Sequence, residues 1–220
     1  MKKLSMLVVL LTMALTTFAQ EKDVTKFLGI PVDGTKAEMI AKLKEKGFTQ
    51  VDYDEDIVLE GEFNGQDVYV YVGTNNRKVY RIMVTDKNKR NETDIRIRFN
   101  TLCQQFSEND KYISLEDYTI AEDERIYYQM RLRNKRYQAA YYQIDRKLLV
   151  ETLLNKYTLE QLSNFNFNNL KIEDQINIIE TLQNLCAHKQ VWFMITEDVG
   201  EYSITMYYDN ILNQANGDDL

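Results

Sequence analysis

From Ile57 to Thr85 apolar and polar positions alternate with a period of two, and turn chemistry interrupts them twice: IVLEGEF, Asn64-Gly65, QDVYVYVG, Thr74-Asn75-Asn76-Arg77, KVYRIMVT. Asn-Gly fills both positive-φ positions of a type I′ turn, so its flanking runs should pair as a hairpin, and the third run completes a three-stranded antiparallel meander. Successive side chains of a strand point to opposite faces. Val68, Val70 and Val72 therefore share one face and Tyr69 and Tyr71 the other. One face needs a helical lid.

The lid comes from stretches with a helical period. After an extended lead-in, Phe27 to Gly34, in which Pro31 biases Ile30 away from helix, Thr35-Lys36-Ala37-Glu38 reads as a capping box. Met39, Ile40 and Leu43 form one stripe, the lysines at 42, 44 and 46 suit a helix C-terminus, and Gly47 supplies a left-handed stop, which predicts a helix over 36–46. Ile95, Phe99, Leu102, Cys103 and Phe106 predict a second over 93–106, and Ile172, Ile176, Ile179, Leu182 and Cys186 a third over 172–188. Strands are expected at 48–53, 114–120, 125–131 and 137–144, with a last hairpin of 191–196 and 201–208 around Glu197-Asp198-Val199-Gly200. Between Arg146 and Asn169 the pattern is helical but broken, with a second capping box at Thr158 to Gln161 and an Asn-rich loop at 164–169. The fold class is α+β, an antiparallel β-meander sheet or sheets covered by helices. The recurrence of a helix followed by strands suggests two loosely related halves, 27–110 and 111–212, within one domain over 20–220.

The first residues change the picture of where the chain works. Met1-Lys2-Lys3 is positive, Leu4 to Phe18 is almost uninterruptedly apolar, and Thr17-Phe18-Ala19 ends it with small residues at the cleavage-determining positions. This is the pattern of a secretory signal peptide over residues 1–19, too short to span a bilayer comfortably, and it predicts an exported protein, periplasmic or secreted, with no transmembrane segment after cleavage. Of 27 Lys and Arg, two lie in that leader, so 25 face 34 acids, a net charge of −9. Such a surface is a poor match for nucleic acid, whose phosphates need a surplus of Lys and Arg.

Candidate chemistry is sparse. His188 is the only histidine, which removes most Ser/His, Cys/His and His-metal arrangements, and its place at a helix end suits a structural role. Cys103 and Cys186 are either two buried thiols or a bridge, and a bridge across so long a loop would contribute about 4 kcal/mol. Asp52 to Asp56 has the alternating acids of a calcium loop, but Ile57 stands where that loop needs glycine and Phe63 where it needs glutamate. No Gly-rich phosphate loop, CxxC or HExxH occurs, so no cofactor or metal is expected. Arg131, Arg133, Lys135 and Arg136, and Lys87, Lys89 and Arg90, crowd two hairpin ends, where basic residues could grip a polyanion but in an acidic chain more often discourage edge-to-edge pairing.

The 15 tyrosines are the most distinctive feature, and many fall on expected strands. Tyrosine suits a half-buried pleated surface, and it also offers large contact area with a polar tip. Phe27 to Thr35, the Lys-rich helix ending at Gly47-Phe48, and the closing Tyr207-Tyr208-Asp209-Asn210 resemble exported proteins of unknown function from Bacteroides-type bacteria. The resemblance implies an exported protein and transfers no catalytic residue. Helix followed by meander is more faintly similar to the beta-lactamase-inhibitor-protein-like fold, which implies a small envelope binding module and carries no inhibitory activity with it.

The reading that joins these observations is a noncatalytic envelope binding module with no catalytic residues, using a tyrosine-rich sheet face, with Tyr69, Tyr71 and Tyr128 as the residues that meet an unknown protein or glycan. The alternatives are a hydrolase acting on glycan or peptide through loop carboxylates, and a structural envelope component.

Overall fold

A computed structural model describes residues 23–53, 56–114, 116–158, 160–161, 171–186, 188–215 and 217. The Asn-rich stretch at 164–169 and the leader lie outside them. Two short strands, β1 (Lys26–Phe27) and β2 (Ile30–Pro31), pair as a small hairpin and lead into α1 (Lys36–Glu45). The meander follows as β3 (Thr49–Tyr53), β4 (Asp56–Phe63), β5 (Gln66–Asn75) and β6 (Lys78–Asp86). Then come α2 (Glu92–Glu108), β7 (Tyr112–Ile113), α3 (Ile126–Arg133), β8 (Gln138–Gln143), α4 (Arg146–Leu154), α5 (Ile172–Cys186), β9 (Gln190–Asp198), β10 (Glu201–Asp209) and a 3-10 turn (Ile211–Asn213). The large sheet has eight strands in the order β3-β4-β5-β6-β10-β9-β8-β7, every neighbouring pair antiparallel. The β3–β6 meander thus meets, at β6 and β10, a second antiparallel set of four whose strands are interspersed with α3, α4 and α5, and the fold is α+β.

Local chemistry sets most of these boundaries. The Thr35 hydroxyl accepts from the Glu38 N–H, and the Glu38 carboxylate accepts from the Thr35 N–H at 2.9 Å, closing the capping box that starts α1. The Asn91 side chain caps α2 by accepting from Asp94 N–H at 2.9 Å. Asn64 and Gly65, at φ 52° and 69°, make the expected two-residue turn. Asn76-Arg77 and Val199-Gly200 adopt the same left-handed pair, so the strands run two residues further into those loops than the turn-residue chemistry suggests.

One row across the sheet shows how register builds the core: Leu59, Val70, Val84, Met206, Phe193 and Ala139 are aligned on neighbouring strands and all buried. Met39, Ile40 and Leu43 of α1 and Ile95, Phe99, Leu102, Cys103 and Phe106 of α2 cover this inner face. Phe99 meets Phe193 edge-on at 5.0 Å, and Phe106 stacks on Tyr141 at 4.6 Å. Below them the buried Asp86 accepts from Arg90 at 2.8 Å and from Arg98 Nε at 3.3 Å, tying α2 to β6.

Two expectations are corrected and one open choice is decided. Residues 114–120 form no strand among the described positions; their pairing ends at the two-residue β7. Residues 125–131 are not a strand but lie largely in α3: Ile126 and Met130, one helical turn apart, pack into the inner core, and that spacing coexists with the period-two alternation of Ile126, Tyr128 and Met130. Asn134, at φ 52°, provides α3 with a left-handed stop. Of the two readings for Cys103 and Cys186, the bridge falls, since both are buried free thiols. Burial pushes the Cys103 thiol up to about 11.

Candidate functional site

The same strands carry a second face. Because the pleat alternates, the row next to the core row places Tyr71, Met83, Tyr207, Trp192 and Ala140 side by side on β5, β6, β10, β9 and β8. Those side chains are half-exposed, in contrast to the sealed inner rows. Tyr207 and Trp192 stack nearly parallel, with ring centroids 3.9 Å apart and 12° between planes. Beside them, Arg81 and Asp209 are opposite one another on β6 and β10. The guanidinium grips the carboxylate with two bonds, Nε to Oδ1 at 2.6 Å and Nη2 to Oδ2 at 2.8 Å. Trp192 Nε1 donates to the same Oδ2 at 2.8 Å, which fixes the indole's orientation.

Arg81 also lies over aromatic rings, 4.9 Å from the centroid of Tyr207 and 5.6 Å from those of Trp192 and Tyr80. The Asp209 bond holds the Arg81 pKa above its ordinary value, and burial raises that of Tyr207. A shallow depression of about 370 Å³ opens beside this group, with Trp192, Ala140, Gln138, Gln190 and Gln214 in its lining.

The sequence-level candidates divide. Tyr69 and Tyr71 stand on this outer face, Tyr69 with Lys87 Nζ 4.9 Å from its ring centroid. Tyr128 does not join them. It sits on α3, which packs on the inner side through Ile126 and Met130, and its ring lies near Arg125 at 5.7 Å. Trp192, Tyr207, Arg81 and Asp209 were not among the residues expected to meet the ligand. The available signal was the lone tryptophan on a strand of the last hairpin, which two-residue turn geometry sets directly opposite Tyr207.

A larger depression, about 1060 Å³, lies between the β1–β2 hairpin, β7 and the start of α4. Its carboxylates all have structural partners: Asp23 with Lys189 at 2.6 Å, Asp110 with Arg146 at 2.8 Å, and Asp145 with the Lys147 and Leu148 N–H groups that it caps. Several of the crowded cations are engaged in the same way, Lys87 with Glu60 at 2.8 Å, Arg131 with Glu197 at 2.6 Å and Lys135 with Glu124 at 2.6 Å. Among the described residues no three His, Cys, Asp or Glu side chains gather as metal ligands would, and no helix is long and apolar enough to cross a membrane.

No family model matches this chain, and neither a curated protein nor a solved structure matches it significantly.

Proposed function

We propose that this chain is a noncatalytic binding module of the cell envelope that takes its ligand on the outer face of the eight-stranded sheet. The observation that carries the reading is the asymmetry of the sheet: its inner face is sealed by α1 and α2, whereas Tyr71, Tyr207 and Trp192 stay half-exposed in one row on the outer face. A row of rings beside a charge-balanced Arg–carboxylate pair is a contact surface that combines large area with little rotamer entropy to lose. The export pattern of residues 1–19 supports placing that surface outside the cytoplasm.

The test uses the mature protein immobilised and washed with the envelope fraction of its own host. Replacing Tyr69 and Tyr71 together with serine should sharply reduce the material retained, whereas Tyr128→Ser on α3 should leave it unchanged. Equal retention by the Tyr69/Tyr71 variant, with an unaltered circular dichroism spectrum, overturns the reading.

A further inference from the structure

The outer face carries a concave feature whose lining points to a ligand class. Trp192 has unlike neighbours: on the β10 side Tyr207 covers one face of the indole at 3.9 Å, while on the β8 side its register partner is Ala140, a single methyl group. Since Tyr207 stacks nearly parallel on the indole from the β10 side, the opposite face of the indole is on the β8 side, where Trp192 and Ala140 both line the depression. One wall is therefore a flat π surface of fixed orientation, held by the bond from Nε1 to Asp209.

The rest of the lining is mixed, with Ala139 and Ile211 apolar, one arginine–aspartate pair, and three uncharged amides. Gln138, Gln190 and Gln214 line it, and none of the three amides has a partner among the described residues. Each amide offers donors and an acceptor. The only charges, Arg81 and Asp209, are joined by two short bonds and cancel. An anion would meet Asp209 and a cation would meet Arg81, whereas the three amides favour a neutral ligand that can exchange hydrogen bonds with them. A cavity of about 370 Å³ is at the small end of ligand pockets, suited to a single ring rather than a flat protein surface.

Resting on the binding role proposed for this face, we infer that the depression holds one ring of a neutral saccharide. The C–H face of the sugar lies on the open face of Trp192, positive C–H edges against negative π density, and its hydroxyls bond the three glutamine amides.

Trp192 is the only tryptophan, so its emission reports on this site alone. The mature protein is titrated with neutral oligosaccharides of glucose, mannose, galactose, xylose and N-acetylglucosamine, and with oligogalacturonate as the charged control. At least one neutral series should shift Trp192 emission saturably, with calorimetry giving the same affinity. Ala140→Leu, which fills the open side of the indole while remaining compatible with a strand, should weaken that binding by at least about tenfold with the melting temperature retained. Gln138→Ala with Gln190→Ala should weaken it several-fold. The assignment is overturned if no neutral series binds, if binding survives Ala140→Leu, or if the charged control binds best. Should sugars fail while envelope material is still retained in a Tyr69- and Tyr71-dependent way, the saccharide falls and the binding face stands; if both fail, both readings fall.

Discussion

The two faces of the central sheet are written by the same strands one residue out of step, and each carries an arginine–aspartate pair. On the inner face Asp86 and Arg98 are both buried, their side chains 1% and 8% exposed, beneath two helices and a layer of Phe, Leu and Ile. On the outer face Asp209 is equally buried but Arg81 is 28% exposed and lies among rings that are themselves half in solvent. The inner pair is less well served. Asp86 Oδ1 and Arg98 Nη2 have no hydrogen-bond partner among the described residues, whereas both oxygens of Asp209 accept short bonds from Arg81 and Trp192. The comparison separates a pair that anchors a helix to the core from one that shapes a surface.

The largest effect that tests this difference is the loss of each carboxylate. Asp86→Ala leaves Arg98 buried without its charge partner and should cost about 3–5 kcal/mol in urea unfolding. Asp209→Ala, which leaves Arg81 able to reach solvent, should cost about 2 kcal/mol and should also red-shift Trp192 emission as the indole loses its anchor. Equal losses would mean that the faces do not differ as described.

A middle-sized effect comes from the inner face alone. Burial raises the Cys103 thiol to about 11, above an unfolded value near 9. The folded state therefore holds this proton more tightly. Its contribution is complete below about pH 9 and is lost as pH rises toward about 11, at roughly 1.4 kcal/mol per unit of difference. Melts from pH 8 to pH 11 should show a decline that is shallower in Cys103→Ala, and Cys103 in the native protein should resist thiol reagents that label both cysteines after unfolding without reductant. An identical decline in the variant would break the assignment.

The smallest effect lies at the β9–β10 turn, which sets the register that stacks Trp192 on Tyr207. Val199 sits at φ 51° and is 90% exposed, a β-branched residue in the left-handed region. Val199→Asn should raise stability by about 1 kcal/mol with the emission of Trp192 unchanged. A register slip would show instead as altered emission.

Much of the fold was legible because local chemistry and tertiary demand coincide. Asn64-Gly65 marks a turn that needs positive φ twice, and Thr35 with Glu38 marks a helix start that nothing later contradicts. Misreading set in where one pattern satisfies two periods. Ile126, Tyr128 and Met130 alternate like a strand, yet Ile126 and Met130 also lie a helical turn apart, and the inner core took the helical option, carrying Tyr128 to the wrong side for the proposed face. The site itself was obscured by Val199, which conceals a two-residue turn because a branched side chain does not advertise positive φ.

By itself the sequence determined the elements whose instructions are short-range: capping boxes, the meander with its Asn-Gly turn, the valine and tyrosine faces of β5, and the amphipathic helices. Only the tertiary structure decided that β6 pairs with β10, which brings Arg81 to Asp209 across 128 positions and sets both beside Trp192. A side-chain period fixes which face a residue takes on its own strand. Which strand lies next to it depends on burying the whole inner face at once, a free energy that belongs to the assembled sheet and to no local segment.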